Sequence, residues 1–180
     1  MSYIKVRSAS TADAESLLKI YSYYVKNTAI SFEYDVPDID EFKGRIEHIM
    51  EKYPYLVAEQ DGTIIGYAYA SQFHPRAAYQ WCAEVSIYVD VHSRKSGVGR
   101  LLYEELEKRL MTHGILNLYA CIAYTDKEDE YLNNNSAQFH AHLGYQQIGH
   151  FHSCGYKFNR WYDMIWMEKP LRKYEVPPKD

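Results

Sequence analysis

The sequence predicts a single α+β domain with a mixed sheet, and three observations carry that expectation. Short stretches with period-two alternation are interspersed with segments whose apolar residues recur at the helical period. An Asp61-Gly62 pair between two apolar runs marks a hairpin. A strand, a glycine-containing basic loop and an amphipathic helix follow one another without interruption between Glu84 and Met111. At 180 residues the chain is one domain's worth of polypeptide. Its 47% hydrophobic and 24% charged composition excludes disordered and fibrous classes.

Taken in order, Ile4-Lys-Val-Arg alternates as a first strand. Ser10 or Thr11 can cap a helix that carries Leu17, Leu18, Ile20, Tyr21 and Tyr24 as its apolar stripe. Residues 28–37 read as an extended connection. Asp38 to Lys52 reads as a second amphipathic helix with Ile39, Phe42, Ile46, Ile49 and Met50 inward. Strands at 55–59 and 64–70 form the hairpin, and 72–82 form a loop containing Pro75, Arg76 and Tyr79. The central strand places Val85, Ile87 and Val89 opposite Glu84, Ser86 and Tyr88. The helix after it has Val98, Leu101, Leu102, Leu106 and Leu110 on one stripe, Glu104–Lys108 and Glu105–Arg109 as i,i+4 pairs, and Gly114 as its stop. A strand at 116–124, an acidic stretch at 125–131, a helix at 133–143 and strands at 147–155 and 161–168 complete the domain. The residues from Pro170 form a polar tail.

The loop Arg94-Lys95-Ser96-Gly97-Val98-Gly99-Arg100 suits an anion. Unpaired N–H groups at a helix start carry the positive end of its dipole, two glycines bare the main chain, and three cations surround it. A basic turn at a glycine-rich helix start is the plainer reading. The loop is not a Walker motif, because Arg100-Leu101 stands where Lys-Ser/Thr is required. It is not a dinucleotide fingerprint either, because Leu102 takes the third small position.

Among residues able to do chemistry, Glu84 sits on a strand next to this loop. A partly desolvated carboxylate there has a raised pKa and can act as a base; a polar-face residue is the alternative. Glu33 can face the same cleft or remain a solvated loop carboxylate. Asn133, Ser136 and His140 share one helix face at i, i+3 and i+7, as two hydrogen-bonding groups and a proton carrier, or as a cap with an incidental histidine. His150, His152 and Cys154 alternate on one strand face, but no fourth ligand accompanies them and no metal is expected. There is no serine-hydrolase elbow, and no cysteine has a nucleophile's local signature.

A net charge of −4 argues against a nucleic-acid partner, and no apolar run approaches the ~18 residues of a membrane span. Cys82, Cys121 and Cys154 read as reduced, mostly buried thiols, which fits a cytoplasmic protein. Nineteen tyrosines suit a half-buried sheet and an interface.

These pieces together resemble the GNAT superfamily of acyl-CoA-dependent N-acetyltransferases. Its pyrophosphate motif, Arg/Gln-x-x-Gly-x-Gly/Ala, is matched by Arg94-Lys-Ser-Gly97-Val-Gly99. Tyr79-x-Trp81-x-x-Glu84-Val-Ser-Ile-Tyr-Val89, Ser136-x-x-x-His140-x-x-Leu143-Gly-Tyr145 and Gly155-Tyr-Lys157-x-x-x-Trp161-x-Asp163 resemble the phosphinothricin (methionine sulfoximine) acetyltransferase subgroup. The resemblance implies a GNAT-like, mostly antiparallel mixed sheet flanked by helices over residues 1–169, with 170–180 as a tail. It implies direct transfer of an acetyl group from acetyl-CoA to a primary amine in a ternary complex, in a homodimer. Ile87, Tyr88 and Val89 would bind the pantetheine arm. Lys95 to Arg100, with Arg94, would hold the pyrophosphate, and Asn133 and Ser136 would meet the cofactor, although Asn134 and Asn135 compete with Asn133 for that role. Glu84, with Glu33, is the expected base and His140 the expected acid toward the leaving thiolate. Arg76, Tyr79 and Lys157 are the expected contacts to an anionic amino-acid-like substrate. The 125–131 stretch is longer and more acidic than the subgroup's short turn. Asp126, Glu128, Asp129 and Glu130 would favour a cationic substrate such as a polyamine. An acyl-CoA-binding sensor without catalysis is the non-enzymatic alternative.

Overall fold

A computed structural model describes residues 3–94 and 96–173. Lys95 and most of the expected tail lie outside the described residues. Seven strands, β1 (Ile4–Ser8), β2 (Tyr55–Gln60), β3 (Thr63–Gln72), β4 (Cys82–Val89), β5 (Asn117–Tyr124), β6 (Gln146–Lys157) and β7 (Arg160–Pro170), form one sheet in the order β1-β2-β3-β4-β5-β7-β6. Every pair is antiparallel except β4 with β5. Helices α1 (Ala14–Asn27) and α2 (Ile39–Met50) cover one face, and α3 (Val98–Thr112) and α4 (Asn135–His142) cover the other.

Local chemistry sets most boundaries. Ser10 and Asp13 form a capping box that opens a 3-10 turn (Thr11–Asp13) leading into α1. Asp38 caps α2 by accepting from the amides of Asp40 and Glu41. Both residues of Asp61-Gly62 have positive φ (51° and 78°), the type I′ turn that matches strand twist. Phe158 and Asn159 make the same kind of turn between β6 and β7 (φ 51° and 57°) without a glycine. There Phe158 stacks on Tyr131 with centroids 4.0 Å apart, a tertiary contact that holds the unfavourable backbone.

The α3 stripe lies in the core through Val98, Leu102, Leu106 and Leu110, with Tyr103 beside them, but Leu101 is 40% exposed. One hundred degrees per residue turns Leu101 away from its neighbour Leu102, so the stripe is narrower than the pattern suggested. Met50 likewise lies at the exposed edge of α2. The cysteines also depart from expectation: Cys82 is half-buried, while Cys121 and Cys154 are exposed.

One feature of the sheet creates the site. β4 and β5 are paired only from Cys82↔Asn117 to Glu84↔Tyr119, whereas β5 pairs with β7 over its whole length. Beyond Glu84 the two strands part, leaving a gap through the sheet. The amide of Asp90 bonds back to Ile65 on β3, so strand alternation points the main-chain groups of Val85, Ile87 and Val89 into this gap.

A close approach on the α1 side supports it. A Cβ on Gly155 would lie under 3.0 Å from three ring atoms of Phe32, the neighbour of Glu33. Gly155→Ala is therefore expected to displace Phe32 and destabilise the fold by about 2 kcal/mol, lowering the melting temperature by roughly 6 °C. Thermal denaturation checks this. An unchanged melting temperature would mean that Phe32 has room to yield.

Candidate active site

The α3 side of the gap opens into a groove of about 550 Å³, lined by Ile87 and Val89 of β4, by Arg94, Gly97, Val98, Gly99 and Arg100 at the start of α3, and by Asn133 and Ser136 near α4. Gly97 is the N-cap of α3 with φ +86°, and a Cβ there would meet nothing within 4 Å. It is the glycine that keeps the helix start open to a ligand. Gly99 serves a different purpose. Its Cβ would come within 3.0 Å of the Phe139 ring and 3.5 Å of Ile87, so this glycine lets α4 close onto α3. Arg94 lies over the Tyr24 ring at 5.4 Å and is, like Arg100, exposed along the groove. Ser96 is exposed, donates to the Ser93 carbonyl (2.6 Å), and is absent from the groove lining. The expected contact at Lys95 lies outside the described residues.

The three asparagines divide their roles. Asn134 is tied to Thr125, accepting from its amide and donating to its carbonyl (2.9 Å). Asn133 and Asn135 line the groove, and Asn133 also accepts from the amide of Asn135 (3.2 Å). Tyr88 departs from its neighbours. Its ring turns to the opposite face and packs against Tyr21, Tyr24 and Tyr67. Tyr24 was not legible as a site residue, yet its hydroxyl donates to the Val89 carbonyl (2.5 Å) and lies 3.3 Å from the Val89 amide. With Val89 engaged in this way, the main chain of Ile87 is left facing the gap.

On the other side of the gap, Glu84 projects toward the α1 and α2 face together with Ser86 and Tyr69. No described residue gives its carboxylate a hydrogen bond or an ion pair, and burial raises its pKa. Cys121 on β5 stands across from it. The crowding of the cleft walls, with Glu84 and Cys154 nearby, pushes the Cys121 thiol up to about 12, so it is no nucleophile at neutral pH. Glu33 reaches the same face. One oxygen accepts from Arg45 (2.7 Å), and the other is buried without a partner. Arg45, also missed in the sequence, is fixed on its far side by Glu41 (2.5 Å) and lines a 210 Å³ tyrosine-walled cavity with Tyr21, Tyr69 and Tyr88.

His140 is buried, with Nδ1 2.7 Å from the Ser136 carbonyl and Nε2 3.0 Å from the Tyr103 hydroxyl. A carbonyl only accepts, so Nδ1 carries the proton and Nε2 accepts from Tyr103. Burial lowers the imidazole pKa to about 4, although the Ser136 carbonyl works the other way, so His140 is neutral at physiological pH. The Tyr103 hydroxyl proton is therefore directed at Nε2, and its hydroxyl oxygen is left with lone pairs free to accept. Both residues line the gap.

Two expected substrate contacts, Arg76 and Tyr79, sit exposed in the β3–β4 connection, where Tyr79 packs edge-on to Phe73. The third is corrected. Lys157 is 5% exposed and donates to the carbonyls of Val25 (2.7 Å), Thr28 (2.9 Å) and Ser31 (2.7 Å). All three ammonium protons are held by backbone, so Lys157 has none for a substrate and instead pins the segment that carries Glu33. The acidic stretch is also largely committed. Asp129 holds Arg160, Tyr162 and the amides of Tyr131 and Leu132, and Glu128 accepts from the amide of Asn134.

A groove with a helix start at one end and a split sheet at the other is the frame of an acyl-CoA-dependent transferase. Residues 6–166 match the family model described as acetyltransferase (GNAT) domain, and the chain belongs to the GNAT acetyltransferase family. It is 35% identical over 167 residues to a phosphinothricin N-acetyltransferase of Alcaligenes faecalis, covering 92% of this chain and 82% of that one. It is 28% identical to an L-methionine sulfoximine/L-methionine sulfone acetyltransferase of Salmonella typhimurium, covering 96% and 97%. A crystal structure of a phosphinothricin acetyltransferase from Sinorhizobium meliloti in complex with AcCoA superposes with a TM-score of 0.85 at 34% identity, covering 93% of this chain and 88% of that one. Among the described residues, no helix is long and apolar enough to cross a membrane.

Proposed function

We propose that the chain transfers the acetyl group of acetyl-CoA to the primary amine of a small, anionic amino-acid-like substrate of the phosphinothricin or methionine sulfone type. The observation that carries this reading is Glu84, a desolvated carboxylate without a described partner at the point where β4 and β5 part. Acetyl-CoA supplies the activated acyl group as a thioester. Gly97, Arg94, Arg100 and the first amides of α3 hold its phosphates, and Asn133 and Ser136 fix its position from the other wall. The Ile87 amide polarises the acyl carbonyl. Glu84 takes the proton from the substrate ammonium, and the partnerless oxygen of Glu33 steadies that ammonium beside it. The resemblance assigned His140 the acid's role. In the reading that fits its contacts, neutral His140 positions Tyr103, whose hydroxyl turns from Nε2 to donate a hydrogen bond to the departing thiolate.

The commitments of Asp129 and Glu128 favour an anionic substrate over a polyamine, since of the four acidic groups only Asp126 and Glu130 remain exposed without a described partner. Arg76 and Tyr79 remain the proposed contacts to its anionic end. We further propose that a second copy of the chain covers the edge hairpin β6–β7, where Ile148, Phe151, Tyr156 and Trp161 are all more than 40% exposed. Three free cysteines suit a reducing, cytoplasmic setting.

Release of CoA thiol from acetyl-CoA, measured with phosphinothricin, methionine sulfone, ordinary amino acids and spermidine, tests the reaction. We expect kcat/KM on the first two to exceed that on spermidine at least tenfold. A preference for spermidine would overturn the substrate class. Binding of acetyl-CoA without turnover on any amine would favour the sensor.

A further inference from the structure

His150, His152 and Asp163 lie together on β6 and β7 and line neither the groove nor the gap. Their ligand atoms all fall within 4.8 Å of one another. A bulge builds the cluster. The β6–β7 register passes from Phe151↔Met164 to Gly155↔Tyr162, so three residues of β6 stand opposite Asp163 alone. Within the bulge Ser153 adopts a left-handed conformation (φ 48°), which folds His152 back beside His150 with ring centroids 4.1 Å apart. The expected alternation of His150, His152 and Cys154 on one face is broken here. The Cys154 thiol turns to the Phe151 carbonyl (3.6 Å), and Asp163 supplies the third donor from the facing strand.

The carboxylate is oriented before any ion arrives. Oδ1 accepts from the Ser153 amide (2.7 Å), while Oδ2 lies 2.7 Å from His150 Nε2 and 3.4 Å from His152 Nδ1. An edge-on Tyr124 ring at 5.2 Å sets the plane of His150. Burial disfavours ionisation of Asp163, but the Ser153 amide and the two histidines hold its carboxyl below the usual carboxylate range. Around an ion bound at about 2.0–2.1 Å, tetrahedral donors stand roughly 3.3 Å apart. The two separations to the carboxylate, 2.7 and 3.4 Å, lie on either side of that distance. The Asp163 side chain is 16% exposed and that of His152 75%, so the site is anchored within the sheet and open outward to water.

We infer that His150, His152 and Asp163 form a binding site for a borderline divalent metal ion, best matched by zinc. Two imidazoles and one carboxylate are the donor set such ions prefer, and the Ser153 amide holds the carboxylate as outer-shell hydrogen bonds do at established sites. Calcium and magnesium, which demand oxygen donors, do not fit. A bound ion would join the β6 bulge to β7 at Asp163, which pairs with Tyr124, the last residue of β5.

The test is a zinc titration of the untagged full chain against a chromophoric chelator, repeated for His152→Ala, His150→Asn and His113→Ala. His113 is exposed just after α3, away from the groove, and serves as the control. We expect one zinc ion per chain with a micromolar dissociation constant, weakened at least tenfold by His152→Ala and by His150→Asn and unchanged by His113→Ala. Zinc should also raise the melting temperature of the wild type, but not of His152→Ala, by roughly 5 °C. Equal acetyl-CoA binding in all four proteins shows that they are folded. No competition at ~100 µM protein, or equal zinc affinity in wild type and His152→Ala, would leave a plain histidine–carboxylate hydrogen-bond ladder and overturn the site.

Discussion

Replacement of Glu84 by glutamine is expected to lower kcat by about 10²–10⁴-fold and to leave acetyl-CoA affinity within about a factor of two. Glutamine keeps the shape and loses the basic lone pair, and Glu84 stands on the amine side of the gap rather than in the cofactor groove. The pH profile carries the same information. Burial raises the Glu84 pKa, and the base must be ionised, so wild-type kcat/KM should fall with decreasing pH on a limb lying above the usual carboxylate range. In Glu84→Gln that limb should be absent. The stability effect has the opposite sign. A carboxyl whose pKa is raised by folding binds its proton more tightly in the folded state, so its contribution to stability is lost as pH rises through that pKa. Glu84→Gln should therefore melt higher than wild type at neutral pH, and the difference should vanish at pH values below those where unfolded carboxylates titrate. A variant that lost activity and stability together would point to a structural role for Glu84 instead.

The difference between what was legible in the sequence and what was not follows from the range of the interactions. The strand ending at Val89, the helix start at Gly97 and the hairpin at Asp61-Gly62 depend on residues within a few positions of one another, and each lies where the local pattern put it. Glu84 and Asn133 could be picked out because they flank such signals. Tyr24, Tyr103 and Arg45 could not, since each acquires its place only when α1, α3 or α2 docks on its layer. Gly99 was legible as a glycine needed at the loop, but the reason lies in Phe139, 40 positions along the chain. Cys121 shows the limit of reading burial from a strand pattern. Alternation gives the face, and whether that face is covered depends on where β5 parts from β4.

Lys157 is the extreme case, and Lys157→Met is expected to have the largest structural effect. The carbonyls it joins are 126 to 132 residues away in sequence, at the end of α1 and in the connection after it. Methionine fills the same volume and supplies no donor, so three carbonyls in a buried site lose a charged partner at once. The expected cost is about 4 kcal/mol, or a fall of roughly 12 °C in melting temperature. The 28–33 segment would also be released, and with it Ile30, which lines both groove and gap, and Glu33. Well below the melting temperature, kcat should therefore drop and the amine KM should rise. The substrate role implied by the resemblance predicts a different result: a lost contact to the amine's anionic end would raise its KM and leave both kcat and the melting temperature near wild type. Thermal denaturation and steady-state kinetics on the one variant separate a lysine that holds the site's wall from one that touches what binds there.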